Sequence, residues 1–249
     1  MKFLKIETCG EYKIVKLNRP EVKNAFHPEM IAEITTVFTE FNADKKIKAV
    51  VITGEGTVFC AGADLNWMQE MVKFNLAENQ KDSEKLWLMF EAIQLCERPV
   101  IGIIHGAVFG GALGLIACCD YVFAEEKTQF CFSEVKLGLV PAVISSFVLR
   151  KVADAHVRPL MLSAEVFNTE KGKAIGLVHS SFSGAVVIGD HLKTFENNGP
   201  EAMSETKKLL NLLPTLDWAQ QMKRTTQVIS ERRVSVEGQS RLQKFINKK

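Results

Sequence analysis

Two glycine-rich loops and one isolated acid are the parts of this sequence whose residue types could do chemistry. The loops are Phe59-Cys60-Ala61-Gly62-Ala63-Asp64-Leu65 and Gly106-Ala107-Val108-Phe109-Gly110-Gly111-Ala112. Each follows a β-branched apolar run and opens a helical stretch. Small residues and unpaired backbone N–H groups then stand at a helix start, where the donors and the helix dipole favour negative charge. Two such loops that converge would make an oxyanion hole for a thioester carbonyl that becomes an enolate. Neither has the spacing of a dinucleotide loop or the Lys-Ser/Thr of a phosphate loop. Taken singly, each is also what close helix–strand packing requires. The acid is Glu134, set between Phe130-Cys131-Phe132 and Leu137-Gly138-Leu139-Val140. Desolvation there would raise its pKa toward the range useful for proton transfer. The competing reading is a surface acid at the start of a helical turn.

The elements that must hold these parts alternate. Phe3–Thr8 and Tyr12–Asn18 read as two strands joined at Cys9-Gly10-Glu11. Pro28 opens a helix with Met30, Ile31, Ile34, Val37, Phe38 and Phe41 on its apolar face. Ala49–Thr53 is a buried strand, Lys81–Cys96 an amphipathic helix, Val100–Ile104 a strand, and Tyr121–Ala124 a further one. Gly106–Ala112 reads as a glycine-rich turn leading straight into a buried helix. This alternation predicts an α/β body with parallel strands. Beyond Pro141, Ile144–Val152, Val157–Ser163, Asn168–Gly176, Pro200–Leu212, Leu216–Arg232 and Val236–Lys248 are helix-like, and only Leu177–Phe182 is strand-like. The expected division is a core over 1–190 and a helical oligomerisation or lid region over 191–249.

Composition narrows the class. The 249 residues carry 31 Lys+Arg against 29 Asp+Glu, and a net charge of +2 argues against a dedicated nucleic-acid binder. The chain is long enough to bury a large core without a metal or disulfide staple. Its cysteines (Cys9, Cys60, Cys96, Cys118, Cys119 and Cys131) lie in or beside apolar runs without zinc-ligand spacing. They read as small buried hydrophobes in a reducing, cytoplasmic setting. The first residues show no apolar signal region. Val100–Cys119 carries no formal charge and has glycine at 102, 106, 110 and 114, which mimics a membrane span. Pro99, the β-branched run and the helix-breaking glycines favour strand, turn and helix in a protein without a membrane partner.

In order along the chain, six blocks resemble the crotonase (enoyl-CoA hydratase/isomerase) superfamily. They are Leu17-Asn18-Arg19-Pro20 with Asn24-Ala25-Phe26, Phe59–Leu65, Arg98-Pro99-Val100, Gly106–Asp120, Phe130–Gly138 and Gly176-Leu177-Val178. The stretch Ala63-Asp64-Leu65-Asn66-Trp67-Met68 resembles the methylglutaconyl-CoA hydratase-like branch and relatives acting on branched enoyl-CoAs. The resemblance implies a spiral of ββα units with C-terminal helices that build trimers, often paired into hexamers. It implies an acyl-CoA substrate whose coenzyme A is part of the thioester, and no separate cofactor or metal. It places the oxyanion donors on the N–H groups of Ala63 and Gly111. The CoA contacts fall on Lys23, Ala25, Ala61, Gly62, Asp64 and Leu65, with Phe245 and Lys248 reaching a neighbouring subunit's CoA. Trp67, with Met68 and Met71, could line the acyl pocket or pack the core. Lys23 is equally readable as a solvated loop charge, Phe245 as a packing residue, and Asp64 as turn structure.

The catalytic arithmetic divides at Gly114. Hydratases of this family carry a second Glu there, and two carboxylates hold and polarise the water. With glycine, Glu134 must act alone or with an unidentified group. A lost acid/base group commonly costs ~10²–10⁴-fold. An isomerase needs one carboxylate to carry a proton between C2 and C4, as single-Glu members do. The motif blocks favour the hydratase and the site favours the isomerase. Hydratase is the reading taken, with a Δ3,Δ2-enoyl-CoA isomerase as the alternative. The third reading is a binding protein without turnover, as in a family relative that binds RNA. His105 ends the strand before Gly106, where a structural role is the expected one.

Overall fold

The computed structural model describes residues 1–247. The chain opens with β1 (Leu4–Cys9) and β2 (Tyr12–Leu17), an antiparallel pair turned at left-handed Gly10. It continues through α1 (Pro28–Glu40), β3 (Ala49–Gly54), α2 (Leu65–Met71), α3 (Leu76–Gln94), β4 (Val100–Ile104) and β5 (Ala107–Phe109). Then come α4 (Ala112–Ala117), β6 (Tyr121–Glu125), β7 (Gln129–Cys131), a 3-10 turn over Glu134–Leu137, α5 (Ala142–Val148) and α6 (Asp154–Ser163). The rest is β8 (Phe167–Asn168), α7 (Thr169–Ala174), β9 (Ser180–Phe182), α8 (Ile188–Glu196), α9 (Pro200–Leu212), α10 (Trp218–Val234) and α11 (Val236–Ile246).

The strands form two layers. One sheet runs β1-β2-β3-β4-β6-β9, parallel from β2 onward, and the other runs β5-β7-β8. Isolated parallel bridges Phe26–Ala63 and Cys60–Val108 extend the second layer. Each turn of the chain therefore lays one extended segment in the first sheet and the next in the second before its helix. β4, β5 and α4 are the clearest such turn, so the spiral of ββα units is visible directly. The expected glycine-rich turn over Gly106–Ala112 is corrected here, because its middle is β5. Three residues between glycines are too short to show an alternating pattern, and pairing with β7 makes them a strand.

The principal core fills the space between the layers and α1, α3, α4 and α5, with Phe26, Phe38, Phe59, Phe90, Phe130 and Phe132 fully enclosed. On α3 the inward residues are Met89, Phe90 and Ile93, whereas Leu88 and Leu95 face solvent. α8, absent from the helices expected above, lays Leu192 on the outer face of the first sheet against Ile14, Val51, Ile101 and Phe123, with Ile188 and Phe195 beside it. Cys9 departs from the expected pattern because it ends edge strand β1 and is exposed, while the other cysteines are buried. The uncharged stretch around Gly102–Gly114 divides into β4, β5 and α4. Among the described residues, no helix is long and apolar enough to cross a membrane.

The C-terminal helices fold back on the body. Glu237 of α11 accepts from the N–H groups of Glu201 and Ala202 at 3.0 and 2.9 Å, satisfying donors at the start of α9. Arg241 donates to the carbonyl of Asn197, just past α8, at 2.7 Å.

Candidate active site

Ala63 owes its orientation to its neighbours. The N–H of Phe26 donates to Gly62 O at 2.7 Å, and the N–H of Asp64 donates to Phe26 O at 2.8 Å. This parallel bridge fixes the chain on both sides of Ala63 and turns the intervening N–H the other way. Among the described residues nothing accepts from that N–H, nor from the N–H of Gly111. Gly111 stands just before α4, and the preceding Gly110 is left-handed at φ 52° with its own N–H bound to Cys131 O.

The two loops meet through close backbone approach. Cys60 N donates to Ala107 O and Phe109 N to Cys60 O, both at 3.2 Å. Gly62 (φ 97°) lies so near that a Cβ on it would come within 2.8 Å of Phe109 O. This glycine is needed both for its conformation and for its lack of a side chain. Below them, the Phe26 ring supports Gly111, where an added Cβ would be 3.5 Å from Cε2. One residue, Phe26, thus holds Ala63 by its backbone and underlies Gly111 by its side chain.

Glu134 begins the 3-10 turn, with its carboxyl beside Gly110. A Cβ on Gly110 would sit 3.5 Å from Oε1. Its Oε2 is buried and has no hydrogen-bond partner. Burial pushes the carboxyl above the usual carboxylate range, against a smaller opposing effect of its own backbone N–H. The expectation of a desolvated acid is met, and the acid adjoins a loop with free donors. Cys60 is no competing nucleophile, because burial pushes its thiol up to about 12.

Asp64 is occupied. Its Oδ2 accepts from Arg19 Nη2 at 2.9 Å, and its Oδ1 accepts from Asn66 N at 2.8 Å and Trp67 N at 3.4 Å, capping α2. Burial raises this carboxyl, but the bonds from Arg19 and the two amides outweigh it and hold it below the usual range. Its backbone is engaged as well, the N–H donating to Phe26 O and the carbonyl accepting from Met68 N at 2.9 Å, so Asp64 serves the turn and the helix start. Arg19, a motif residue to which the sequence assigns no role, also donates from Nη1 to Ala25 O at 2.7 Å. It joins the Lys23–Ala25 loop to the Ala63 loop. Buried Asn24 (φ 55°) completes the frame, accepting from Arg19 N and donating to Glu55 O and Val58 O.

Arg19→Lys keeps the charge but loses the two-pronged geometry. Loosening the Ala63 loop is expected to lower kcat about ten-fold, the worth of one charge-assisted hydrogen bond. Steady-state kinetics check this, and an unchanged kcat would show that the clamp is dispensable. Asp64 contributes stability that is present at neutral pH and is lost as pH falls through its depressed folded pKa.

The remaining residues fall into three places. Lys23 (φ 54°) is exposed and its carbonyl accepts from Ala61 N at 3.0 Å, while Ala25 is buried beneath the loop and Leu65 is exposed at its rim. Trp67 is buried on α2 and donates from Nε1 to buried Asp82 of α3 at 3.1 Å, a polar link absent from any motif. Phe245 is exposed on α11, which is fastened to α8 and α9 rather than to the elements that build the loops. Lys248 lies outside the described residues.

Gly114 is buried one turn into α4, and its missing side chain leaves no vacancy. An added Cβ would lie 2.6 Å from Phe90 Cζ and 2.8 Å from Ile144 Cγ2. The space of a second acid is filled by hydrocarbon.

Free amides on two joined loops, beside a desolvated carboxyl, form an arrangement that can stabilise an oxyanion and move a proton. The chain belongs to the enoyl-CoA hydratase/isomerase family, whose profile matches residues 11–249. An enoyl-CoA hydratase structure from Shewanella pealeana superimposes with a TM-score of 0.90 at 34% identity, covering 99% of this chain and 94% of that one. The short-chain-enoyl-CoA hydratase of Clostridium acetobutylicum is 28% identical over 211 residues, 83% of this chain and 80% of its own. An enoyl-CoA hydratase of Alternaria alternata is 32% identical over 179 residues, which is 70% of this chain but 56% of that longer protein. These likenesses establish the crotonase fold, with its two sheets and C-terminal helices.

Proposed function

We propose that this protein hydrates the 2,3 double bond of an enoyl-CoA. The thioester oxygen lies between the N–H groups of Ala63 and Gly111, and Glu134 handles the proton. As water adds at C3, the π electrons move toward the thioester, and the oxygen becomes anionic against two donors that need no reorganisation. Glu134 takes a proton from the water and returns it to C2, giving a 3-hydroxyacyl-CoA. The observation that carries this reading is the placement of a desolvated carboxyl beside Gly110, immediately before a free Gly111 N–H. The hydratase relatives support water addition rather than isomerisation.

The test is incubation of purified protein with crotonyl-CoA, following loss of the conjugated enoyl absorbance and formation of 3-hydroxybutyryl-CoA by chromatography. Hydration that saturates with substrate is expected. No hydration of straight or branched 2-enoyl-CoAs would overturn the proposal. The single carboxylate favours a second reading, the Δ3,Δ2-isomerase, which predicts conversion of 3-hexenoyl-CoA to the 2-enoyl isomer without gain of water.

The Ala63–Met68 resemblance adds a branched acyl group, as in the methylglutaconyl-CoA hydratase-like branch, with Trp67 as pocket wall. Lys23, Ala25, Ala61, Gly62 and Leu65 would hold the CoA through their backbone or exposed stems. The proposal keeps 1–190 for chemistry and 191–249 for assembly into a homotrimer or homohexamer, where Phe245 and Lys248 would meet a neighbour's CoA. Exposed Trp218, Met222, Val234, Val236, Leu242 and Ile246 on the last two helices support an interface there. Unpaired, buried thiols support a reducing compartment such as the cytoplasm.

A further inference from the structure

Hydration asks more of a site than proton transfer does, because the water oxygen must be aimed at C3 while its proton departs. A water held only through the O–H that gives its proton to one carboxylate can still pivot about that hydrogen bond. Phe90 and Ile144 close the position of Gly114, so no second acid can stand there.

The surroundings of Gly110 supply a different partner. The nearest heavy atoms to the Cβ it lacks are Ser133 Oγ at 3.3 Å and Glu134 Oε1 at 3.5 Å. Gly110 therefore leaves room for two adjacent polar side chains, and it immediately precedes the Gly111 donor. Ser133 is half-buried, and among the described residues its hydroxyl has no hydrogen-bond partner. Several other polar side chains are engaged through at least one atom, although the Nδ1 atoms of His27 and His105 are buried without a partner. Ser145 Oγ donates to Pro141 O, Asp82 accepts from Trp67, His105 bonds Gly56 O, and His27 faces Glu29.

We propose that Ser133 is a catalytic residue that holds the attacking water together with Glu134. This rests on the hydratase reading. Ser133 Oγ accepts the O–H that stays with the water oxygen, and the Glu134 carboxylate accepts the other. The new bond forms between that oxygen and C3, the C2–C3 π pair moves into the enolate, and the proton on Glu134 passes to C2. Nothing is oxidised, no group leaves, and the product contains every atom of substrate and water. Proton transfer alone does not use Ser133.

The test compares Ser133→Ala and Ser133→Thr with the unaltered protein, using crotonyl-CoA for hydration and acetoacetyl-CoA as a probe that needs no water. Binding of the probe is followed by the absorbance of its enolate, which reports the two amides. Ser133→Ala is expected to lower kcat for hydration by about ten- to a hundred-fold. Its KM and the enolate absorbance should stay within about two-fold, and Ser133→Thr should restore most of the rate by keeping the hydroxyl. Undiminished hydration in Ser133→Ala would overturn the proposal while leaving the hydratase reading intact. A matching loss of probe binding would also overturn it, by showing a structural role. Absence of hydration in the unaltered protein would instead sink the parent reading.

Discussion

Glu134→Gln should lose turnover and gain stability. The amide has nearly the shape of the carboxyl but can neither take a proton from water nor return it to C2. The expected fall in kcat is about 10²–10⁴-fold, with KM little changed because the proposed CoA contacts lie elsewhere. The gain in stability follows from linkage. The folded pKa of Glu134 is raised by burial, so its contribution is fully present below the unfolded pKa and is lost as pH rises through the folded value. At neutral pH the ionised carboxylate, with one buried oxygen unpartnered, works against the fold. Glutamine removes that charge, so its melting temperature should exceed that of the unaltered protein at pH 7 and approach it under acid. The rate should rise with pH through a limb above the ordinary carboxylate range, and that limb should vanish in Glu134→Gln. Retained turnover in the variant would transfer the proton chemistry to another group.

Gly114→Glu should damage the protein rather than improve it as a hydratase. From the sequence alone, restoring the second acid looks like a route to faster water addition. The packing reverses that expectation. The first side-chain atom would already overlap Phe90 and Ile144, both fully buried or nearly so. Overpacking of this kind costs about 1–3 kcal/mol. A carboxylate pushed among phenylalanine and isoleucine adds the cost of an unpaired buried charge. The variant should lose at least several degrees in thermal unfolding and should not hydrate faster. Gly114→Ala, which adds only the methyl, separates the two costs and should lose about 1–3 kcal/mol. Combining it with Phe90→Leu should recover part of that loss, a non-additivity expected of neighbours in contact. A stable Gly114→Glu protein with accelerated hydration would show that Phe90 turns aside and that the pocket accepts a second acid.

The parts legible in the sequence are those governed by local rules. β3 and β4 are buried runs of β-branched residues, and α1 carries its apolar face at helical spacing, so each is recognisable without knowing its partners. Glu134 stands out by its apolar sequence neighbours, yet Leu137, Leu139 and Val140 are exposed, and its carboxyl lies beside Gly110, which only the fold brings near. The parts that escape are those created by distant residues. β5 is a strand only because β7 pairs with it, and β8, two residues long, is one for the same reason. α8 is diluted by Gly189, Asp190, His191 and Lys193, yet Ile188, Leu192 and Phe195 stand at helical spacing and all three pack on the first sheet, a signal that the reading of the sequence missed. Arg19 meets Asp64 across 45 positions, so neither residue announces the clamp. Gly114 is read from sequence as a missing acid, whereas Phe90 and Ile144, brought in from α3 and α5, make glycine a steric requirement. Ser133 sits next to Glu134 in every reading, but its approach to Gly110 needs the fold.

The account turns on where the thioester oxygen rests. A crystal structure of the protein with bound acetoacetyl-CoA measures this directly. The oxygen should lie within about 3 Å of the backbone nitrogens of both Ala63 and Gly111, the usual length of such hydrogen bonds. The Glu134 carboxyl should face the carbons beside it. A thioester oxygen bound to neither amide, or to side chains elsewhere in the molecule, would contradict the account.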